Sequence, residues 1–308
     1  MKILGISGGA KNGRNDCMCK EALMGAAQEG AEVEFIHLLD LDIRYCEGCM
    51  ACNAQTARGI SNKCVIKDDL DWLMDKMLDA DGIMFSMPIF DKCAPAFFHS
   101  LMDRLGPRYD TGINTIAAQI AKENGRQWDQ RIFKKKAVSF IAIGGSDWMT
   151  GIQNDSSLLA ASFMWTVVEN EVFSWAANIL MDDERVGKVH QMGVNLAKAA
   201  ADPENASYKS DPGICSHCNS RLFYFSPDGK AICASCGIEG RIISRDGKTV
   251  FEYPEDQIEH AHDTMAGKMK HGADIGRNTA AALETMKTEE YKLRLKKYKE
   301  FISTTAVS

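Results

Sequence analysis

The chain has 308 residues, 45% of them hydrophobic and 25% charged, proportions of an ordinary globular protein that exclude a disordered one. That length suits one large domain with an extension, or two domains, and leaves room for a sizeable core. A formal charge of −6 argues against a nucleic-acid partner, which would call for clusters of lysine and arginine.

Residues 2–6 form a short apolar run ending in Ser7-Gly8-Gly9, and residues 16–29 then carry alanine, leucine and methionine on one helical face, so the chain opens as strand, loop, helix. The apolar start is too short for a signal peptide, and nowhere do eighteen apolar residues run together. A cytoplasmic protein with no membrane span is expected. Glu32–Leu38 reads as a second strand, Asp68–Asp79 as a helix with Leu70, Leu73, Met74, Met77 and Leu78 on one side, and Asp81–Ser86 as a third strand. The segment 108–136 is long for a connection and reads as a helical insertion, a lid or a contact between copies of the chain in a homo-oligomer. Ala137–Ile143 is almost wholly apolar, as in a parallel strand buried on both faces, and Val172–Ala176 is the expected fifth strand.

Strands alternating with helices predict an α/β fold, a doubly wound five-stranded parallel sheet. Ligands of such sheets bind beyond the carboxyl ends of the strands, so Ser7–Asn15, Ser86–Phe90 and Gly144–Asp147 should converge on one site. The first of these loops is built of small residues and opens a helix, a geometry that brings backbone amides to a phosphate. Composition changes after Lys198. The expected domains are 1–200 with the insertion, a small module over 212–250, and a helical extension over 254–308.

Eleven cysteines in paired spacings, without an export signal, point to metal ligation rather than disulfides. Cys46, Cys49, Cys52 and Cys64 follow the pattern C-x2-C-x2-C-x11-C, three close thiolates and one distant, a ligand set for a four-iron cluster; zinc and unligated thiols are the other readings. Cys215, Cys218, Cys233 and Cys236 follow C-x2-C-x14-C-x2-C with an Asp228-Gly229 turn between, the arrangement of a structural zinc site. Cys17, Cys19 and Cys93 read as small buried residues, with Cys93 close enough to the second loop to be redox-active. His217, His260, His262 and His271 read as surface or packing histidines.

Over roughly residues 1–195 the chain resembles the flavodoxin-like NAD(P)H-dependent FMN reductases, in particular the iron-sulfur flavoproteins. The resemblance rests on Gly8-Gly9-Ala10-Lys11-Asn12-Gly13-Arg14-Asn15-Asp16, on Ser86-Met87-Pro88-Ile89-Phe90 followed by Asp103-Arg104, and on Gly144-Gly145-Ser146-Asp147. It implies FMN held at Ser7, Gly9, Lys11, Asn15, Ser86, Met87, Pro88, Ile89, Phe90, Gly144, Gly145 and Ser146. Lys11 and Asn15 would serve the phosphate and Phe90 would cover part of the ring. Residues 213–245 resemble a zinc ribbon, with rubredoxin as the iron-binding rival. The expected function is an FMN-dependent oxidoreductase moving electrons between NAD(P)H, or a small redox carrier protein, and an acceptor through FMN and the four-iron cluster. Two alternatives stand beside it: an FMN enzyme reducing a small organic substrate without a cluster, and a non-enzymatic zinc-ribbon interaction protein. No catalytic side chain is assigned.

Overall fold

The computed structural model describes residues 1–305 and divides into two units, Met1–Lys268 and Met269–Ser308. The first contains a five-stranded parallel sheet in the order β2-β1-β3-β4-β5, from β1 (Lys2–Ser7), β2 (Glu32–His37), β3 (Gly82–Pro88), β4 (Ala137–Ile143) and β5 (Thr166–Phe173). Strands β3 and β4 are buried along almost their whole length, which is why they read as apolar runs broken only by Ser86 and Ser139. Their side chains alternate between two cores. Ile83, Phe85, Val138 and Phe140 face one, shared with α3 (Leu70–Asp79), α4 (Ala96–Tyr109) and α6 (Ile152–Phe163). Met84 and Ile141 face the other, shared with α1 (Arg14–Gln28) and α7 (Asp183–Ala201). Helices α1 and α7 cross so closely that a Cβ on Gly25 would collide with the His190 carbonyl, and one on Gly193 with that of Ala22.

Two expectations shift. The fifth strand begins at Thr166, ahead of the expected Val172, because Glu169-Asn170-Glu171 breaks the apolar pattern. Glu169 and Asn170 are nevertheless buried, each held by a helix: Asn195 of α7 donates to Glu169 at 3.2 Å, and Asn170 donates to the Gln153 carbonyl of α6 at 2.9 Å. The segment 108–136 starts inside α4 and continues through α5 (Thr111–Glu123) and a short 3-10 turn. Arg108 is buried and donates to the Asn62 carbonyl and to Asp71, both at 2.6 Å.

The segment after α7 returns along β5. Lys209 donates its amide to the Val168 carbonyl at 2.7 Å, and the Asn170 amide donates to Ser210 Oγ at 2.9 Å, so this connection covers the outer edge of the sheet. A four-stranded antiparallel sheet follows, β6 (Phe223–Phe225), β7 (Ala231–Cys233), β8 (Glu239–Arg245) and β9 (Lys248–Glu252). Its last hairpin turns at Asp246-Gly247, both at positive φ. This sheet packs within the first unit: Ser235 Oγ donates to Asn154 Oδ1 of α6 at 2.9 Å. Helix α8 (Met265–Met286) starts in the first unit and continues into the second, which also holds α9 (Glu289–Phe301), a charged helix with pairs such as Arg294–Glu290 on its surface. Among the described residues no helix is long and apolar enough to cross a membrane.

Candidate functional site

The three strand-end loops meet through their backbones. Gly8 donates to the Ser86 carbonyl, Ile89 to that of Ile143, and Ala176 to that of Gly144, each at 3.0 Å. In the first loop the buried Asp16 is the organising group: it accepts from Ser7 Oγ at 2.6 Å and from the Asn12 amide at 2.7 Å. His37, at the end of β2, donates from Nε2 to the Gly9 carbonyl at 3.0 Å, and Asn15 Nδ2 donates to Ser86 Oγ at 3.2 Å. Ser7 and Asn15, expected at a phosphate, are thus engaged within the loop scaffold. Lys11 donates to both oxygens of Asp40 at 2.9 and 2.8 Å, and that hydrogen bond holds the Asp40 carboxyl below its ordinary range. What the loop offers an anion is backbone: Gly13 precedes α1 without a side-chain cap, and a Cβ on Gly9 would fall 2.6 Å from that of Asn15.

The second loop buries Ser86 and Met87 and ends in a two-residue turn, with Asp91 and Lys92 at φ 47° and 74° and Phe90 and Cys93 exchanging backbone hydrogen bonds. Phe90 is left 58% exposed. The turn leans on the third loop: Gly151 donates to the Lys92 carbonyl at 2.8 Å, and Lys92 Nζ stands 5.0 Å from the centre of the Trp148 ring. Ser146 accepts from the Trp148 amide at 3.3 Å, and a methyl group built on Gly145 meets nothing within 4 Å, so this loop is open on that side. Burial, aided by the carboxylates of Asp155 and Asp91, pushes the Cys93 thiol up, which disfavours a reactive thiolate there.

Sequence reasoning missed two residues of this rim. Trp148, beyond β4, is 65% exposed and Trp175, beyond β5, is 67% exposed. The signal was available, since a tryptophan stands just beyond each of the last two strands, in Asp147-Trp148 and Ser174-Trp175.

Of the two cysteine sets, the second closes. Cys215, Cys218, Cys233 and Cys236 present sulfur atoms that all lie within 4.8 Å of one another, three of the residues buried. Cys215 Sγ lies 3.8 Å from Cys236 Sγ, and Cys218 Sγ lies 3.4 Å from Cys233 Sγ. Four sulfurs this close together form a candidate ligand set for one metal ion. His217 stays outside it and pairs with Asp263 at 2.8 Å; that hydrogen bond raises its pKa.

The first set does not gather in this way; among the described residues the four later cysteines are the set that meets ligand distances. Cys46 and Cys49 are exposed on a stretch without regular secondary structure, while Cys52 lies in the first turn of α2 (Ala51–Thr56) and Cys64 lies beyond its end. Two buried arginines brace this region. Arg104 pairs with Asp68 and donates to the Arg44 carbonyl at 3.0 Å, and Arg108 holds Asn62. Burial pushes the Cys52 thiol up, with the Arg108 charge acting in the opposite sense.

A family model described as NADPH-dependent FMN reductase matches residues 1–178. A solved structure of a flavone reductase is 51% identical, covers 100% of both chains and superposes with a TM-score of 0.91. The flavone synthase cfoJ of Aspergillus candidus is 26% identical over 315 residues, 96% of this chain and 95% of its own. An iron-sulfur flavoprotein of Methanocaldococcus jannaschii is 39% identical over 108 residues, 35% of this chain and 53% of its own.

Proposed function

This chain belongs to the NADPH-dependent FMN reductase family and is a flavin-dependent oxidoreductase; on that premise we propose that it reduces the conjugated double bond of a flat aromatic ketone of the flavone class. The observation that carries the reading is the rim of exposed aromatic side chains, Phe90, Trp148 and Trp175, beyond the three converging loops. Flat aromatic rings are the ligands such a rim suits. The whole-length likeness to a flavone reductase supports the same substrate class.

In this reading the amides of Gly9–Asn15 and the first turn of α1 hold the FMN phosphate, with Ser7, Lys11 and Asn15 fixing the loop around it. Ser86–Phe90 and Gly144–Ser146 present backbone groups to the ring edge. The donor set fits: uncapped amides at a helix start, a close approach at Gly9 that a Cβ would fill, and an open glycine loop. Bound FMN supplies hydride chemistry. The net reaction takes a hydride from NAD(P)H and a proton from water, adds two hydrogens across the carbon–carbon double bond, and releases NAD(P)+. The chain's own work is positioning and shielding from water, by Asp16 and His37 within the first loop and by Phe90 and Trp148 over the site.

The test is anaerobic incubation of FMN-loaded protein with NADH or NADPH and flavone, with chromatography of the products. Flavanone formed in step with nicotinamide oxidation is expected. Nicotinamide oxidation that reduces only free flavin, with flavone untouched, overturns the reading.

The four later cysteines hold zinc in this reading, a structural role that stabilises a sheet with little core of its own. A homo-oligomer located in the cytoplasm is the accompanying expectation. A second reading, electron transfer through a four-iron cluster on Cys46, Cys49, Cys52 and Cys64, draws on the 39% identity to an iron-sulfur flavoprotein. It requires the exposed stretch bearing Cys46 and Cys49 to fold over Cys52 and Cys64. Iron and acid-labile sulfide in anaerobically purified protein decide it.

A further inference from the structure

Trp175 has a φ of 53°, a left-handed backbone that glycine or asparagine adopts readily and a bulky residue does not. The strain is enforced from both sides. Arg185 Nη1, from the first turn of α7, donates to the Ser174 carbonyl at 3.0 Å; the Ala176 amide donates to the Gly144 carbonyl at 3.0 Å; and Arg14 Nη1, from the start of α1, donates to the Ala177 carbonyl at 2.9 Å. Three elements thus fix the residues flanking the tryptophan.

Nothing in packing repays that arrangement, because the indole is 67% exposed. Backbone strain that the surroundings over-determine clusters at binding and active sites. The backbone beside Trp175 is tied to the glycine loop after β4 through the bond between Ala176 and Gly144. Trp72 provides the contrast. It is also exposed, with Lys76 Nζ 5.6 Å from its ring centre, but it lies within regular α3 and lines a surface beside Lys2 and Glu32 at the starts of β1 and β2.

We propose that Trp175 is the platform on which the aromatic rings of the substrate stack, and so determines specificity for flat, conjugated substrates. This rests on the reading given under Proposed function. It predicts opposite effects on stability and on binding: Trp175→Gly relieves the backbone and raises Tm while it weakens substrate binding.

The experiment titrates flavone into FMN-loaded protein by calorimetry and measures KM for flavone and Tm for the parent, Trp175→Gly, Trp175→Asn, Trp175→Phe and Trp72→Ala. Loss of one stacking partner should raise Kd and KM about tenfold in the Gly and Asn variants, with the Phe variant closer to the parent. Trp72→Ala should bind flavone as the parent does. Unchanged Kd and KM in Trp175→Gly and Trp175→Asn overturn the inference and leave the proposed reaction standing. A parent that binds flavone through Trp175 without reducing it overturns the proposed reaction and leaves the platform; a parent that neither binds nor reduces flavone removes both. Sedimentation of the same variants adds one outcome: a dimer lost in Trp175→Gly with flavone affinity intact assigns the indole to a second copy of the chain and overturns the platform.

Discussion

Asp16 and Ser7 share a buried hydrogen bond of 2.6 Å, and the second oxygen of that carboxylate takes the Asn12 amide. An acid inside a glycine-rich loop thus serves as an internal strut that gives the loop its shape. Asp16→Ala leaves the buried Ser7 hydroxyl without a partner, at a cost of about 1–3 kcal/mol, and also releases the Asn12 amide. FMN affinity, followed by quenching of flavin fluorescence, should fall by about tenfold or more, since about 1.4 kcal/mol of lost order corresponds to that factor. Lys11→Ala should change it less, because Asp40 already holds that ammonium.

The Arg104–Asp68 pair is almost fully buried, each side chain 1% exposed. Burial works to raise the Asp68 carboxyl, but the Arg104 hydrogen bond, together with the amides of Arg44 and Leu70, prevails and holds it below the ordinary range. A depressed carboxyl contributes stability that is fully present above its unfolded pKa, about 4, and is lost as pH falls through the folded value. Acid melts of the parent should show that loss and Asp68→Asn should show less of it. At neutral pH Asp68→Ala should cost about 3–5 kcal/mol, since it strands a buried guanidinium.

Lys136 is buried at the start of β4 and donates to the carbonyls of Leu78 and Ala80, yet burial brings its pKa down to about 8. The folded state therefore binds fewer protons than the unfolded one between about pH 8 and 10.4, and stability rises with pH across that window, by at most about 1.4 kcal/mol per pH unit. Lys136→Met should flatten the slope. Urea unfolding of both proteins at several pH values checks it.

Replacing Cys236 by serine removes one of four converging sulfurs. The expected outcome is loss of one zinc per chain with local unfolding of β6–β9, because a sheet this small depends on its metal. Metal analysis and limited proteolysis within 212–250 read both effects; iron in place of zinc in the parent would make the site rubredoxin-like.

The sheet was legible because β3 and β4 are buried on both faces and need apolar residues throughout, and the later cysteine set because ligand spacing is a local property. Position at a strand end located the three loops. The fifth strand was hidden because Glu169 and Asn170 meet helices through hydrogen bonds, and polar letters do not announce a strand. The hairpin of β8 and β9 had its signal in Asp246-Gly247 between Ile242-Ile243 and Val250-Phe251. Roles within the first loop were not legible: whether Ser7, Lys11 and Asn15 turn to a ligand or to Asp16, Asp40 and Ser86 depends on contacts between residues distant in sequence.

The connection that runs beside β5 carries a lesson for anyone who cuts or swaps parts of this chain. In sequence, residues 201–211 fall between two expected modules, the natural place to end a shortened protein. Lys209 and Ser210 instead engage that edge at Val168 and Asn170, with one backbone and one side-chain bond. A version ending near residue 200 would carry a naked sheet edge, ready to pair with its neighbour in the tube. The boundary for a soluble fragment therefore lies beyond Ser210, and a chimaera that replaces the cysteine-bearing sheet should keep Lys209 and Ser210 with the flavin half.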